Sequence, residues 1–504
     1  MKDVNTHPEN KGKTNSHLLR GGKWGEFNQF PRSIFRLVNA WLLLFPAFLI
    51  PQPAAAETKI QSKLEGTVLI DPRSFEFKIN PGELIAGDGR NVLVKDSAGK
   101  EIVAKVYIQV GENFVCLMPD GRLKDFTKAE AKITDQPFKP ADPKEIANEL
   151  LNGYFKGFKS KTTSRYVYIY NTTEEFAEVT SRIIESMLRG VVSFAKGQRI
   201  EVSYPDIPLV VTMFRTEKEY QKYRAMPPGV VAYYNVLSNH VVLYEESDLI
   251  RVDRELGVKQ ALSTIAHEGA HQILHNIGVQ KRLSVWPMWV SEGLAEYYAP
   301  TVPGRGMRWK GAGQVNDFRM FELESFLGSR TNLDLDGKTV QHTVLADKLT
   351  SAGYASAWSL VHFLAKNERS EFNGFVNKLS QLEPFQGFAD RGPTIQANVK
   401  LFEESFGKDW SKLEGRLIAH LKKQDYQSPF AKYPHFVVFV VYQQDGKPVR
   451  RVNTFLNPRT AEEWAAMFVN DLPDGAKQSA KAQVQRFENR EIARVQTARW
   501  LNDK

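Results

Sequence analysis

The stretch Gln260–Pro300 constrains this chain more than any other. It carries His267-Glu268-Gly269-Ala270-His271 inside an apolar run formed by Leu262, Ile265, Ala266, Ala270, Ile273 and Leu274. In a helix, residues four apart lie on one face a turn apart. His267 and His271 can therefore aim both imidazoles at one point, while Glu268 is rotated off that line. The apolar neighbours make this helix largely buried, and two buried histidines with a carboxylate between them are costly unless paired or ligated. A second helix-like run follows at Trp289–Tyr297, with Glu292 and Glu296 one turn apart.

The chain has one cysteine, Cys116, so an intramolecular disulfide and a thiolate-rich metal site are both excluded. Any metal ligands here are imidazole and carboxylate. Two histidines, one further ligand and an open position for water suit zinc, with Glu268 placed to reach the water rather than the ion. Hydrophobic content of 42% and charged content of 25% over 504 residues are those of a globular protein of two or three domains. The net charge is +9, but residues 1–36 hold seven Lys/Arg and three Asp/Glu, so the remainder is near +5 (9 minus 4). That bias is too weak to argue a nucleic-acid partner, and no basic stripe with interleaved aromatics supports one.

A basic start ending at Arg32 and Arg36, an apolar run from Leu37 to Ile50 and Pro53-Ala54-Ala55-Ala56 form the pattern of a secretory signal peptide. Cleavage near Ala56 would leave an extracytoplasmic protein, periplasmic or secreted. An uncleaved leader would anchor it, the one membrane association expected. Residues 57–137 read as a small β-rich module with strands at Thr67–Ile70, Phe75–Ile79, Asn91–Val94, Ile102–Val110 and Asn113–Met118. Residues 138–164 form a linker helix, started by Asp142-Pro143 and running to about Phe158. The main domain, 165–426, opens as strand, helix, strand, helix and a hairpin (Val230–Asn235 with His240–Tyr244) before the HExxH helix. Helices follow from Asp317 to about Leu421. Residues 427–504 form a small α/β module with a charge near +4 by residue count.

Around the motif the chain resembles the gluzincin metallopeptidases, which pair HExxH with a glutamate about twenty residues on in a second helix. Trp289-Val290-Ser291-Glu292-Gly293-Leu294-Ala295-Glu296-Tyr297 resembles their NEGFAxY and SEGLAxY strings. The likeness is strongest to a bacterial group carrying HEGxHQ, PxW and EGLAxY together. It covers roughly Arg165 to Lys423. It implies an α+β fold with a thermolysin-like zincin catalytic domain: a mixed sheet plus the HExxH helix, then a helical subdomain, flanked by the β-rich and α/β modules. It also implies His267, His271 and Glu292 as ligands of one Zn2+, Glu268 as general base and Glu296 as the carboxylate that orients a ligand histidine. Tyr354, in Gly353-Tyr354-Ala355-Ser356-Ala357-Trp358, resembles the tyrosine with which aminopeptidase-type gluzincins stabilise an oxyanion. The strand His240–Tyr244 would align an extended substrate. A metzincin site would need a histidine six residues past His271, where Ile277 stands. His275 reads as a helix residue rather than a ligand, and His342 and His362 carry no assigned role. The expected activity is zinc-dependent hydrolysis of a peptide or protein substrate. Two alternatives stay open: hydrolysis of a non-protein amide such as a cell-wall peptide, and a non-catalytic, zinc-stabilised envelope scaffold.

Overall fold

The apolar runs Tyr166–Tyr170 and Leu209–Thr216 build the middle of a five-stranded mixed sheet. Its strands are β1 (Lys159–Thr162), β2 (Tyr166–Tyr170), β3 (Leu209–Thr216), β4 (Ala232–Asn235) and β5 (His240–Glu246), in the order β4-β5-β3-β2-β1. β2, β3 and β5 are parallel, and β1 and β4 are antiparallel edges. The parallel strands are covered on both faces, so they read as continuous apolar runs rather than alternating ones. The computed structural model describes residues 64–502 apart from 88, 97–98, 228, 248–249, 251–252, 303–305, 330–335 and 389–392. The signal-peptide reading of residues 1–56 lies outside the described residues. Among the described residues, no helix is long and apolar enough to cross a membrane.

One sheet face carries α1 (Pro143–Asn152) and α3 (Glu217–Tyr223), packed with Phe155 over Val167, Ile169, Val210 and Phe214. Asp142 and Glu145 close a full capping box on α1. The helix stops at Asn152 rather than near Phe158, because Phe155 and Phe158 turn back onto Phe214, with ring centroids 6.0 and 5.6 Å away. The opposite face carries α2 (Glu174–Gly197) and α4 (Arg254–Asn276), the HExxH helix. The expected pairing of β4 with β5 is present, but the strand expected to align a substrate, His240–Tyr244, has no free edge. β5 is interior, paired on both sides. The turn at Asn239, which has φ 63°, places β4 outside it, and β4 presents the open edge beside α4.

Beyond α4 the chain becomes helical: α5 (Met288–Tyr298), α6 (Asp317–Ser329), α7 (Lys338–Leu345), α8 (Ser351–Asn367), α9 (Arg369–Leu379), α10 (Pro393–Phe406) and α11 (Trp410–Leu421). Trp289, Trp358, Phe375 and Phe402 fill their shared core. The fold is α+β.

The N-terminal module is a six-stranded antiparallel sheet. The expected strand Phe75–Ile79 is absent. Pro72–Phe75 forms a 3-10 turn, and Phe77 and Ile79 are buried against Leu283 and Phe385 of the central region. The buried Arg282 side chain crosses this junction. Its Nη1 donates to the Gly121 carbonyl at 2.7 Å, Nε to that of Val236 at 2.8 Å and Nη2 to that of Leu237 at 2.9 Å. The C-terminal module has three antiparallel strands, ordered Lys447–Phe455, His435–Gln444, Lys481–Phe487, with a helix against each face. It rests on α6 and on the start of α4. Phe430 packs at a tilt against Phe321 with centroids 4.7 Å apart, Arg490 pairs with Glu324 at 2.5 Å, and the Tyr433 hydroxyl donates to the Asp253 cap of α4.

Candidate metal centre

α4 is buried for most of its length, from Leu256 through Leu274, so its sides must fit close neighbours. At Gly269 a Cβ would lie 3.4 Å from Ile184 of α2, an ordinary packing contact. α5 crosses against α8 at Gly293, where a Cβ would lie 2.6 Å from Val361 Cγ2 and 2.7 Å from the Ala357 carbonyl oxygen. These approaches bring the residues flanking the two glycines, His267–His271 and Glu292–Glu296, into one polar group.

His267, His271 and Glu292 meet there. His267 Nε2 and His271 Nε2 are 3.2 Å apart. Glu292 Oε2 lies 3.3 Å from the first and 3.4 Å from the second. A tetrahedral ion with ligand bonds of about 2.0–2.1 Å requires donors about 3.3–3.4 Å apart. The triangle therefore has the size that one such ion needs. Glu292 Oε2 is buried with no donor aligned on it. Such an orphaned carboxylate oxygen, facing two imidazole nitrogens, is a poor hydrogen-bonding arrangement and a good ligand set. This buried His-His-Glu group can bind a metal ion.

Charge points the same way. Burial pushes the Glu292 carboxyl up, but the two imidazoles more than offset it and hold it well below the usual range. Burial lowers His267, yet Glu296, Glu292 and Glu268 around it hold it up at about 10. Three carboxylates thus draw positive charge to one place, which a divalent cation would supply.

Glu268 stands beside the group and is 1% exposed. Burial raises its pKa, opposed by His267 and His271. The Tyr234 N–H on the open edge of β4 donates to its Oε2 at 2.8 Å. Glu296, one turn past Glu292, puts Oε1 3.1 Å from His267 Nδ1. Arg319 Nη2 donates to the same oxygen at 2.7 Å, and Asn316 Nδ2 donates to Oε2 at 2.8 Å. Glu296 is accordingly held down at about 2, despite its burial, by Arg319 and His267. Tyr354 is buried on the first turn of α8, with its ring 6.3 Å from that of His267. Burial and then the Glu292 charge hold its hydroxyl well above the usual tyrosine value.

His275 lies outside the group, stacked on Tyr234 at 5.5 Å. His362 is buried against His420, with Nδ1 to Nε2 at 2.9 Å, and His342 is exposed. The sequence reading missed Arg319, Asn316 and the Tyr234 N–H. The first two stand 20 and 23 residues past Glu296 with no motif around them. The third is a main-chain group, which carries no sequence signal. Residues 261–386, spanning α5, Tyr354 and nearly all of the polar group's supports, match the model of a family described as a protein of unknown function (DUF1570), and no curated protein matches the chain.

Proposed function

We propose that this chain is a zinc-dependent hydrolase of peptide bonds, of the gluzincin type that its motifs resemble. The observation that carries the reading is the donor triangle of 3.2–3.4 Å with a buried, N–H-oriented carboxylate beside it. The mixed sheet with an antiparallel edge strand next to the HExxH helix, followed by a helical half bearing Glu292, supports a thermolysin-like catalytic domain.

His267, His271 and Glu292 would hold Zn2+, which when bound supplies the charge that acidifies a water and polarises a carbonyl. Glu268 takes the proton of the attacking water and returns it to the leaving amine. Its burial favours the protonated form it must pass through, and the Tyr234 N–H keeps the carboxylate aimed. Tyr354, whose raised pKa keeps its hydroxyl protonated near neutral pH, donates to the oxyanion. Glu296 fixes His267 with its proton on Nδ1, leaving Nε2 as a ligand. The open edge of β4 offers main-chain pairing to an extended substrate. With the leader of residues 1–56 read as a signal peptide, the work is done outside the cytoplasm on a peptide or protein.

The test combines metal analysis with a peptide-library assay. Wild type is expected to hold one zinc per chain and to cleave. Glu268→Gln is expected to keep the zinc and lose about 10²–10⁴ in rate, the range of a general base. Proteolysis retained in Glu268→Gln sinks the mechanism. Zinc without turnover, coupled to a large melting loss on chelation, would favour the scaffold reading. Cleavage of cell-wall peptides alone would favour the non-protein amide.

A further inference from the structure

Arg319 is a fully buried guanidinium that the chemistry above does not use, and it touches three separate supports of the polar group. Nη2 donates to Glu296 Oε1, the oxygen that also faces His267 Nδ1. Nη1 donates to both oxygens of Glu322, at 2.8 and 3.0 Å. Its Cζ lies 5.3 Å from the centre of the Tyr354 ring. Glu322 in turn accepts a hydrogen bond from the Ser351 hydroxyl on the first turn of α8, three residues before Tyr354. A chain of contacts therefore runs His267–Glu296–Arg319–Glu322–Ser351, and the cation lies over the tyrosine in its middle.

Burying a cation this deeply is costly unless every donor direction is answered. Here the two terminal nitrogens are answered by carboxylates on different helices, a span that the planar fork of arginine covers and the point charge of lysine does not. A salt bridge meant only to join α5 to α6 would need Glu296 alone. The second arm goes to Glu322, three residues on in the same helix, and is carried to the helix of Tyr354 by the Ser351 hydroxyl, a link such a bridge leaves unexplained.

We propose that Arg319 is a positioning residue of the metal centre, setting through Glu296 the ring of His267 and through Glu322 and Ser351 the place of the Tyr354 phenol. The inference rests on the metal-centre reading and deepens it. Loss of the fork leaves Glu296 able to rotate away from Nδ1, which weakens His267 as a ligand and lets its ring turn.

Co2+ and Zn2+ alone are sufficient probes, so the test needs no substrate. Wild type, Arg319→Lys and Glu322→Gln are loaded with Co2+, and the visible ligand-field spectrum, the affinity for Zn2+ in competition with a chelator and the melting temperature of the metal-free protein are read together. Arg319→Lys is expected to change the Co2+ spectrum and to weaken Zn2+ about 10–100-fold, the usual effect of removing an outer partner of a ligand histidine. Glu322→Gln, which keeps the Glu296 arm, is expected to leave Zn2+ affinity within about threefold. Should Arg319→Lys not fold, Asn316→Asp, which removes the other Glu296 donor, is expected to shift the spectrum in its place. An unchanged spectrum and unchanged Zn2+ affinity in Arg319→Lys, with or without a drop in melting temperature, would overturn the proposal and leave the metal centre standing. Wild type that binds no Co2+ would overturn the centre itself, and this role with it.

Discussion

A general base has to be held in place without being neutralised, and the proposed role of Glu268 fits both needs: one main-chain N–H, from Tyr234, holds a carboxyl that burial has made more basic. Tyr354 is the complementary case, an acid held neutral by burial and by the carboxylates below it. Tyr354→Phe removes one oxygen from a ring that stays packed. Turnover should fall about 10²–10³-fold, the scale of one oxyanion donor, with metal content unchanged by elemental analysis. Histidines away from the centre govern acid stability. Burial lowers His240 to about 4 and His362 to about 3. Both lie below the value near 6.5 of an unfolded chain, so below pH 6.5 the unfolded state binds more protons. The stability is complete above about pH 6.5 and is lost as pH falls toward 4, at up to about 1.4 kcal/mol per pH unit for each group. Denaturant titrations between pH 7 and 4.5 should show this slope, and His240→Asn should flatten it. Sequence made the histidine pair and Glu268 legible, because a four-residue spacing holds in any helix. It left Arg319 silent, because its partner Glu296 is 23 residues away and only folding joins them.

Among the elements, α5 is placed against α8 by a glycine rather than by a large side chain. The Cβ clash at Gly293 meets backbone of α8, which cannot yield as a side chain can. Gly293→Ala should destabilise by about 1–3 kcal/mol by overpacking and also lower metal affinity, since the residue before it is Glu292. Gly269→Ala, whose Cβ would only touch Ile184, should lie within about 1 kcal/mol of wild type, because helix propensity opposes the crowding. Melting curves and chelator competition on the two variants distinguish these outcomes. The same physics decides which elements could be read from sequence. β2, β3 and the helices at Asp142-Pro143 and Thr216 announce themselves by apolar runs and capping residues. The polar edge strands Lys159–Thr162, Lys447–Phe455 and Lys481–Phe487 do not, because each is paired on one side only and none has a fully buried residue. Phe75–Ile79 misleads in the opposite sense: its apolar residues serve the junction between modules rather than a sheet.

Across the whole molecule, the central region is gripped from both ends. The N-terminal module holds the β4–β5 turn through Arg282 and the carbonyls of Val236 and Leu237, close to the strand that orients Glu268. Arg282→Met keeps the apolar stem but takes the guanidinium donors from the Gly121 and Val236 carbonyls, while the Leu237 carbonyl keeps the Leu123 N–H. It should cost about 3 kcal/mol or more, seen as a lowered denaturation midpoint. At the other end, the C-terminal module packs Phe430 against Phe321 of α6, the helix that also carries Arg319. The sequence boundaries near 138 and 426 are therefore not cutting points. A fragment between them would bare Leu283, Phe385 and Phe321 and strip Arg282 of the Gly121 carbonyl. The three units are to be expressed or swapped as one piece.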